Sequence, residues 1–308
     1  MKLRNYALVT FGYWTFTLTD GALRMLVLLH FNELGYSPVA IAFLFLAYEF
    51  MGIVTNLLGG WVGARTGLNR TLVAGLGLQI VALLALSLQQ ATWSEWVSVV
   101  FVMTAQAVSG VAKDLTKMSS KSAVKAVAGG GDGALFRLVA ILTGSKNALK
   151  GVGFFLGGLL LTLLDFQTAL KLLVALVATT LVLASMLMRG SLGQANKKAK
   201  FGQMFSRNAA VNKLAAARIF LFGARDVWFV VGLPVFLSSV LGWTFWQSGG
   251  FLAVWVIGYG IVQAATPGLL RSRVEGRREP DGRTATILAF VLAALPAGIA
   301  LALSLIHI

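Results

Sequence analysis

Long apolar runs alternate with short polar connections along the whole of this chain. A bilayer core about 30 Å thick is crossed by around 20 apolar residues in a helix, and nine runs have that length. They cover residues 7–31, 39–62, 71–90, 95–113, 138–164, 168–188, 214–240, 247–270 and 284–305. The pattern predicts an all-α polytopic membrane protein, in which each helix satisfies its own backbone polar groups.

The composition excludes several other classes of protein. Apolar residues make up 57% of the 308 residues, charged residues make up 12%, and the mean hydropathy is +0.81. This combination excludes a soluble globular domain and a disordered chain. The chain has no Cys, which excludes disulfides, thiolate metal sites and a Cys nucleophile. Its two His residues are far apart in the sequence, so we expect no metal, no cofactor and no catalytic triad.

Positive charge is confined almost entirely to every second connection. Connections on one side carry most of the 26 Lys and Arg residues, whereas those on the other side carry only Lys171. Four of the bases follow the fourth run: Lys113, Lys117, Lys121 and Lys125. Because cytoplasmic connections are enriched in Lys and Arg, we expect a cytoplasmic N-terminus, membrane lipid as a partner and no nucleic-acid partner.

The longest polar connection divides the chain into two parts. Residues 189–213 are basic and hydrophilic, and we interpret them as a cytoplasmic linker. They separate a predicted six-helix N-terminal bundle, residues 1–188, from an incomplete C-terminal bundle of three helices, residues 214–308.

A faint internal repeat supports this division. Asp20 corresponds to Asp226 at an offset of 206 residues, and Arg65 corresponds to Arg271 at the same offset. Parallel repeats of six-helix halves are typical of major facilitator transporters. The chain ends at residues 303–308 without a polar tail, in a string that resembles a translated sequencing adapter. We therefore expect that three helices are missing.

Three ionisable residues of the first two runs are candidates for coupling or binding, because charges in hydrocarbon are costly and usually paired. Asp20 and Arg24 lie four residues apart and share a helix face. This spacing fits a structural ion pair and also fits a substrate or proton-coupling site. Glu49 has no partner along its own helix, which suits a protonated coupling acid or a hydrogen bond to a neighbouring helix.

The other interior charges are mainly basic. Lys146 and Lys150 lie four residues apart on one face of the fifth run, and we favour a cavity there that holds an anion. Arg225 and Asp226 point about 100° apart around the seventh run and need partners on other helices. Arg24 and Arg225 lie in equivalent helices of the two halves and would converge on one oxyanion, which suits the Arg fork.

Two weaker motifs accompany these charges. The connection between the second and third runs contains Gly60, Arg65, Gly67 and Arg70, which match the loop signature of major facilitator transporters except that Ala64 replaces its Asp. The usual gating salt bridge of that loop is therefore in doubt.

The fifth run also contains four glycines, Gly144, Gly153, Gly157 and Gly158. They match an antiporter signature of the same superfamily only in part. Close helix packing by small residues explains them equally well.

Four segments together resemble one branch of that superfamily, the ArsJ family of organoarsenical efflux permeases. The segments are residues 18–26, 112–121, 142–151 and 222–229. The resemblance implies an antiporter of the bacterial inner membrane that exports 1-arseno-3-phosphoglycerate by alternating access and gives arsenate resistance. It also implies a functional link to a glyceraldehyde-3-phosphate dehydrogenase, which makes that substrate.

The absence of Cys agrees with this cargo, because trivalent arsenic prefers thiolates whereas a pentavalent ester is a hard anion. Such an anion would need the four basic residues Arg24, Lys146, Lys150 and Arg225. A resemblance to organophosphate exchangers of the superfamily, which pair two arginines on phosphate, carries over only to Arg24 and Arg225. The three acids Asp20, Glu49 and Asp226 would then act in coupling or gating. The alternative is an exchanger of organophosphates or other organic anions. A membrane-embedded enzyme or receptor is disfavoured, because no catalytic constellation is visible.

Overall fold

A computed structural model describes residues 2–127, 134–188, 208–214, 216–217, 233, 236–269 and 282–306. All regular structure within these residues is helical. The helices are α1 (Lys2–Glu33), α2 (Pro38–Thr66), α3 (Leu68–Ser87), α4 (Glu95–Val127), α5 (Ala134–Leu163), α6 (Phe166–Leu187), a short π-helix (Phe236–Val240), α7 (Phe245–Leu269) and α8 (Gly282–Ile306).

Each predicted span other than the seventh corresponds to one of these eight α-helices. Most of the seventh span, residues 214–240, and most of the linker, residues 189–213, lie outside the described residues. Four helical stretches are both long and apolar enough to cross a membrane. These are Leu68–Ser87, Glu95–Lys125, Phe166–Leu187 and Gly249–Gly268.

The distribution of side chains is that of a protein surrounded by lipid. Large apolar side chains such as Ile53, Leu172 and Met186 are exposed, whereas Thr19 and Gln79 are fully buried. Many buried hydroxyl groups bond to their own helices; Thr19, for example, donates to the carbonyl four residues earlier. These bonds satisfy part of the polar groups inside the bundle, and the arrangement agrees with the predicted multi-pass membrane protein.

Helix α1 lies at the centre of the described bundle. It packs against α4, α5 and α6, while α3 packs against α4 and α6, and α2 packs mainly against α4. Helix α5 lies between α1 and α7. The apolar core includes Phe16, Leu23 and Leu26 of α1, so the buried charges of α1 are held in a tightly packed part of the molecule.

The connection between α2 and α3 is much shorter than the sequence predicts. The predicted spans end at residue 62 and begin again at residue 71, but in the structure only Gly67 separates the two helices. Gly67 has a φ of 85°, which glycine adopts without steric cost. The predicted loop signature is therefore largely helical.

Helix α4 is much longer than its predicted span. The prediction ended the span at Lys113, but the helix has 33 residues and continues to Val127, for a length of about 50 Å. Hydropathy falls after Lys113 because polar side chains there are buried in the bundle rather than exposed to lipid; Ser119, for example, contacts Thr71 of α3 at 2.6 Å. Lys113 therefore lies within a helix and not in a connection.

Small residues allow α5 to approach both of its neighbours closely. Gly153 lies against the backbone of Leu18 and Gly21 in α1, and Gly144 lies against Gly260 of α7. Lipid tails are as apolar as the side chains, so the hydrophobic effect does not drive helices together within a membrane. Close van der Waals contact is therefore a main source of helix association there. Close packing is therefore observed at Gly144, Gly153 and Gly157.

We expect the Gly153→Ala substitution to destabilise the protein. The added methyl group would meet the Leu18 carbonyl oxygen where α1 crosses α5, and overpacking of this kind costs about 1–3 kcal/mol. Gly77→Ala is the matched control, because nothing lies within 4 Å of its added methyl group and alanine favours the helix. Thermal unfolding in detergent should give a lower midpoint for Gly153→Ala only. Equal midpoints would contradict the close contact.

Candidate functional site

Arg24 of α1 is held by groups from two helices. Its Nη2 donates to Oε1 of Glu49 in α2 at 2.5 Å, and its Nε lies 4.0 Å from Oδ2 of Asp20 one turn earlier. The guanidinium carbon lies 4.4 Å from the centre of the Tyr48 ring. The predicted Asp20–Arg24 neighbourhood is therefore present, but the closer partner of Arg24 is Glu49.

Tyr48 connects the acidic and basic groups. Its hydroxyl donates to Oδ1 of Asp20 at 2.5 Å. Its ring contacts both Arg24 and the Lys113 ammonium, which is 4.0 Å from the ring centre. Both Tyr48 and Asp20 are buried. A cation over an aromatic face is stabilised most where water is excluded, so this ring stabilises both cations.

Lys113 completes the group by binding Glu49 from the side of α4. Its Nζ lies 3.5 Å from Oε2 of Glu49, so the two carboxylate oxygens contact cations from two different helices. The Glu49 side chain remains 56% exposed, against 15% for Arg24. We call these five residues, Asp20, Arg24, Tyr48, Glu49 and Lys113, the central charged cluster.

Sequence reasoning overlooked Lys113 and gave Tyr48 no role. Lys113 was counted among the bases of a connection, because the hydropathy of α4 falls at that point. The signal that could have identified it is the helical spacing of the polar residues around it. Ser109, Thr116 and Ser120 recur at intervals that continue one helix face, and all three are buried.

Lys150 of α5 lies beside the central charged cluster. It interacts electrostatically with Arg24 and Asp20, and its Nζ is 5.7 Å from the ring centre of Phe154. Among the described residues, no carboxylate lies within 4 Å of its ammonium group. Lys146, one turn earlier, adds a further positive charge that acts on Lys150.

The other bases of α4 have different surroundings. Lys117 pairs with the buried Asp114 at 2.8 Å, so those two charges cancel locally. Lys121 and Lys125 are exposed, as expected for the basic residues of a connection.

The loop-signature residues lie away from the central charged cluster. The Arg65 guanidinium lies over the ring of Trp61, with its carbon 4.9 Å from the ring centre. Gly67 forms the turn, and Arg70 is exposed in the first turn of α3. Gly60 lies in the last part of α2. These placements agree with a structural role for the motif at the α2–α3 turn.

Arg225 and Asp226, the predicted contributions of the seventh span, lie outside the described residues. Their convergence with Arg24 stays a prediction. Within the part of the chain that the structure describes, no three His, Asp or Glu side chains are placed to hold a metal ion.

The charge balance of the site favours an anion. Arg24, Lys113 and Lys150 bring three positive charges, whereas Asp20 and Glu49 bring two negative charges. Uncompensated charge in a low-dielectric interior is costly. An anionic ligand would supply the missing negative charge.

Comparison with known families identifies one relationship. The profile of the Major Facilitator Superfamily matches residues 9–307, almost the whole chain. A search among curated proteins gives no significant match. The matched stretch contains every residue of the central charged cluster.

We expect Arg24 and Glu49 to be energetically coupled. Arg24→Gln and Glu49→Gln should each lower the unfolding midpoint in detergent, because each leaves a charged partner behind. The double variant should lose less than the sum of the two, by about 1–3 kcal/mol. Arg24→Gln combined with Glu95→Gln is the control, since Glu95 is exposed in the first turn of α4 and should be additive. Additivity of both pairs would contradict the contact.

Proposed function

Since the chain belongs to the major facilitator superfamily and is therefore a secondary membrane transporter rather than an enzyme, we propose that its cargo is an organic anion. The observation that carries this proposal is the excess of positive charge around the central charged cluster, with Lys150 next to it. The transport activity is inferred from the family, and the negative charge of the cargo is inferred from the cluster.

The chemistry of the cations suits a phosphate-like group. The Arg24 guanidinium offers several N–H donors in a planar fork that matches the oxygens of phosphate or arsenate. Lys150 provides a point charge from the opposite helix. Lys146 extends the positive region along α5, and Arg225 is proposed to add a cation from the second half.

Glu49 is proposed to act as an internal competitor for the same cations. In the structure its carboxylate bridges Arg24 and Lys113, so a cargo anion that binds these groups must displace it. A carboxylate that has lost both of its cation partners favours the protonated form more than the paired carboxylate does. Anion binding and proton uptake would then be linked, so the proton would travel with the cargo rather than exchange for it as in the expected antiporter. Asp20 and Asp226 would be further coupling or gating acids, while the two halves rock around the site.

The specific cargo follows from the sequence resemblance. We propose 1-arseno-3-phosphoglycerate, made from arsenate by a partner glyceraldehyde-3-phosphate dehydrogenase and exported across a bacterial inner membrane to give arsenate resistance. The chain contains no Cys, so the described residues include no thiolate that would favour arsenic over phosphorus. An exchanger of organophosphates therefore remains the second candidate, because the same cations would bind a phosphate ester.

We expect Arg24→Ala and Lys150→Ala to reduce uptake of the freshly made arseno-ester into inside-out vesicles at least about tenfold, since each removes a charged hydrogen-bond partner. Both variants should also lose arsenate resistance in cells. Lys171→Ala is the control, because Lys171 is exposed on α6. Full resistance of both variants at equal expression would contradict the anion site. Uptake of organophosphates but not of the arseno-ester would favour the exchanger.

We expect Glu49→Gln to bind the cargo several-fold more tightly than the unsubstituted protein, because an amide does not compete for cations by charge. The response of vesicle uptake to a proton gradient should disappear in this variant. Glu33→Gln is the control, since Glu33 is exposed at the end of α1. Uptake by the unsubstituted protein that ignores the gradient would reject proton coupling, and equal affinities would reject Glu49 as a competitor.

A further inference from the structure

A pair of amide side chains next to Lys150 has no part in the charge-based mechanism. Asn147 of α5 donates from Nδ2 to Oε1 of Gln263 in α7 at 2.6 Å. Asn147 lies three residues before Lys150, which places the two side chains about 60° apart on adjacent turns. The pair therefore lies close to the cation that the proposed cargo needs.

The position of this pair on α5 points toward the interior of the molecule. Gly151 faces α7 and Gly153 faces α1, and helical geometry places Asn147 and Lys150 in the sector between these two faces. The opposite side of α5 carries exposed apolar side chains such as Val152. Asn147 and Lys150 thus share the inward side of the helix.

Part of the hydrogen-bonding capacity of the pair is unused. An amide has one oxygen that accepts and one nitrogen that donates two hydrogen bonds. Among the described residues, no hydrogen bond uses Oδ1 of Asn147 or Nε2 of Gln263. Within this part of the chain, the pair therefore offers one acceptor and one donor that no hydrogen bond uses.

This combination does not match a fully ionised anion. The oxygens of phosphate or arsenate only accept hydrogen bonds at high charge, so they have no use for the Asn147 oxygen. A hydroxyl group both donates and accepts. It would bond to both Asn147 and Gln263 while a neighbouring anionic group binds Lys150.

We propose that Asn147 and Gln263 recognise a hydroxyl group on the carbon skeleton of the cargo. The site then selects hydroxylated organic anions over organic anions without the hydroxyl. The inference rests on the proposed function, because it takes Lys150 to bind the anionic group of the same ligand. Sites built to bond a hydroxyl reject analogues that lack it, because their polar groups are left unpaired.

Binding of two matched ligands to the purified full chain in detergent tests this proposal. The ligands are 3-phosphoglycerate and 3-phosphooxypropionate, which differ by one hydroxyl, and titration calorimetry gives both affinities. We expect the hydroxylated ligand to bind at least about fivefold more tightly. Asn147→Leu and Gln263→Leu should each bring the ratio close to one.

Thr266→Val is the matched control on α7, because the Thr266 hydroxyl bonds to the Val262 carbonyl of its own helix; it should keep the original ratio. If the unsubstituted protein bound both ligands equally and Lys150→Ala abolished the binding of both, the hydroxyl assignment would be overturned. The proposed anion site would be supported. A ratio unchanged in both leucine variants would also overturn it. Failure of the unsubstituted chain to bind either ligand would overturn the proposed anion site as well.

Discussion

The positive charge of Arg24 must be balanced inside the helical bundle, and the described site is arranged around that requirement. A charge removed from water is stable only where partners replace its hydration. Asp20 lies on the same helix, but at 4.0 Å it is the more distant acid. Glu49 provides the close contact and also contacts Lys113. Arg24 thereby connects α1 to α2, and Glu49 connects α2 to α4.

The glycine contacts of α5 complete this arrangement. Gly153 lets α5 approach α1 closely enough for Lys150 to interact with Arg24 and Asp20. A larger residue would separate the helices and weaken that interaction. Gly144 on the other side of α5 allows the same closeness to α7, where Gln263 reaches Asn147. Small residues therefore determine which polar groups can share one ligand.

The sequence predicted the helices well and the partners of the charges poorly. Apolar length identified α3 and α6, and four-residue spacing placed Asp20 and Arg24 on one face. Hydropathy failed at Lys113, because it measures exposure to lipid, whereas the polar residues of α4 are buried against other helices. The spacing of residues within one helix also could not predict the Arg24–Glu49 contact, because that contact depends on how α1 and α2 cross.

Under the proposed function, export of the anion needs no proton gradient as its driving force. Where the cytoplasm is negative, moving one negative charge outward releases about 2.3 kcal/mol per 100 mV, and a phosphate ester of arsenate carries several such charges. The value of Glu49 then lies in the empty transporter. When the cargo leaves, the Glu49 carboxylate can return to Arg24 and Lys113 and restore two ion pairs. The same cations are thereby neutralised in the loaded and in the empty transporter. The empty transporter can then return without an unpaired charge in its interior.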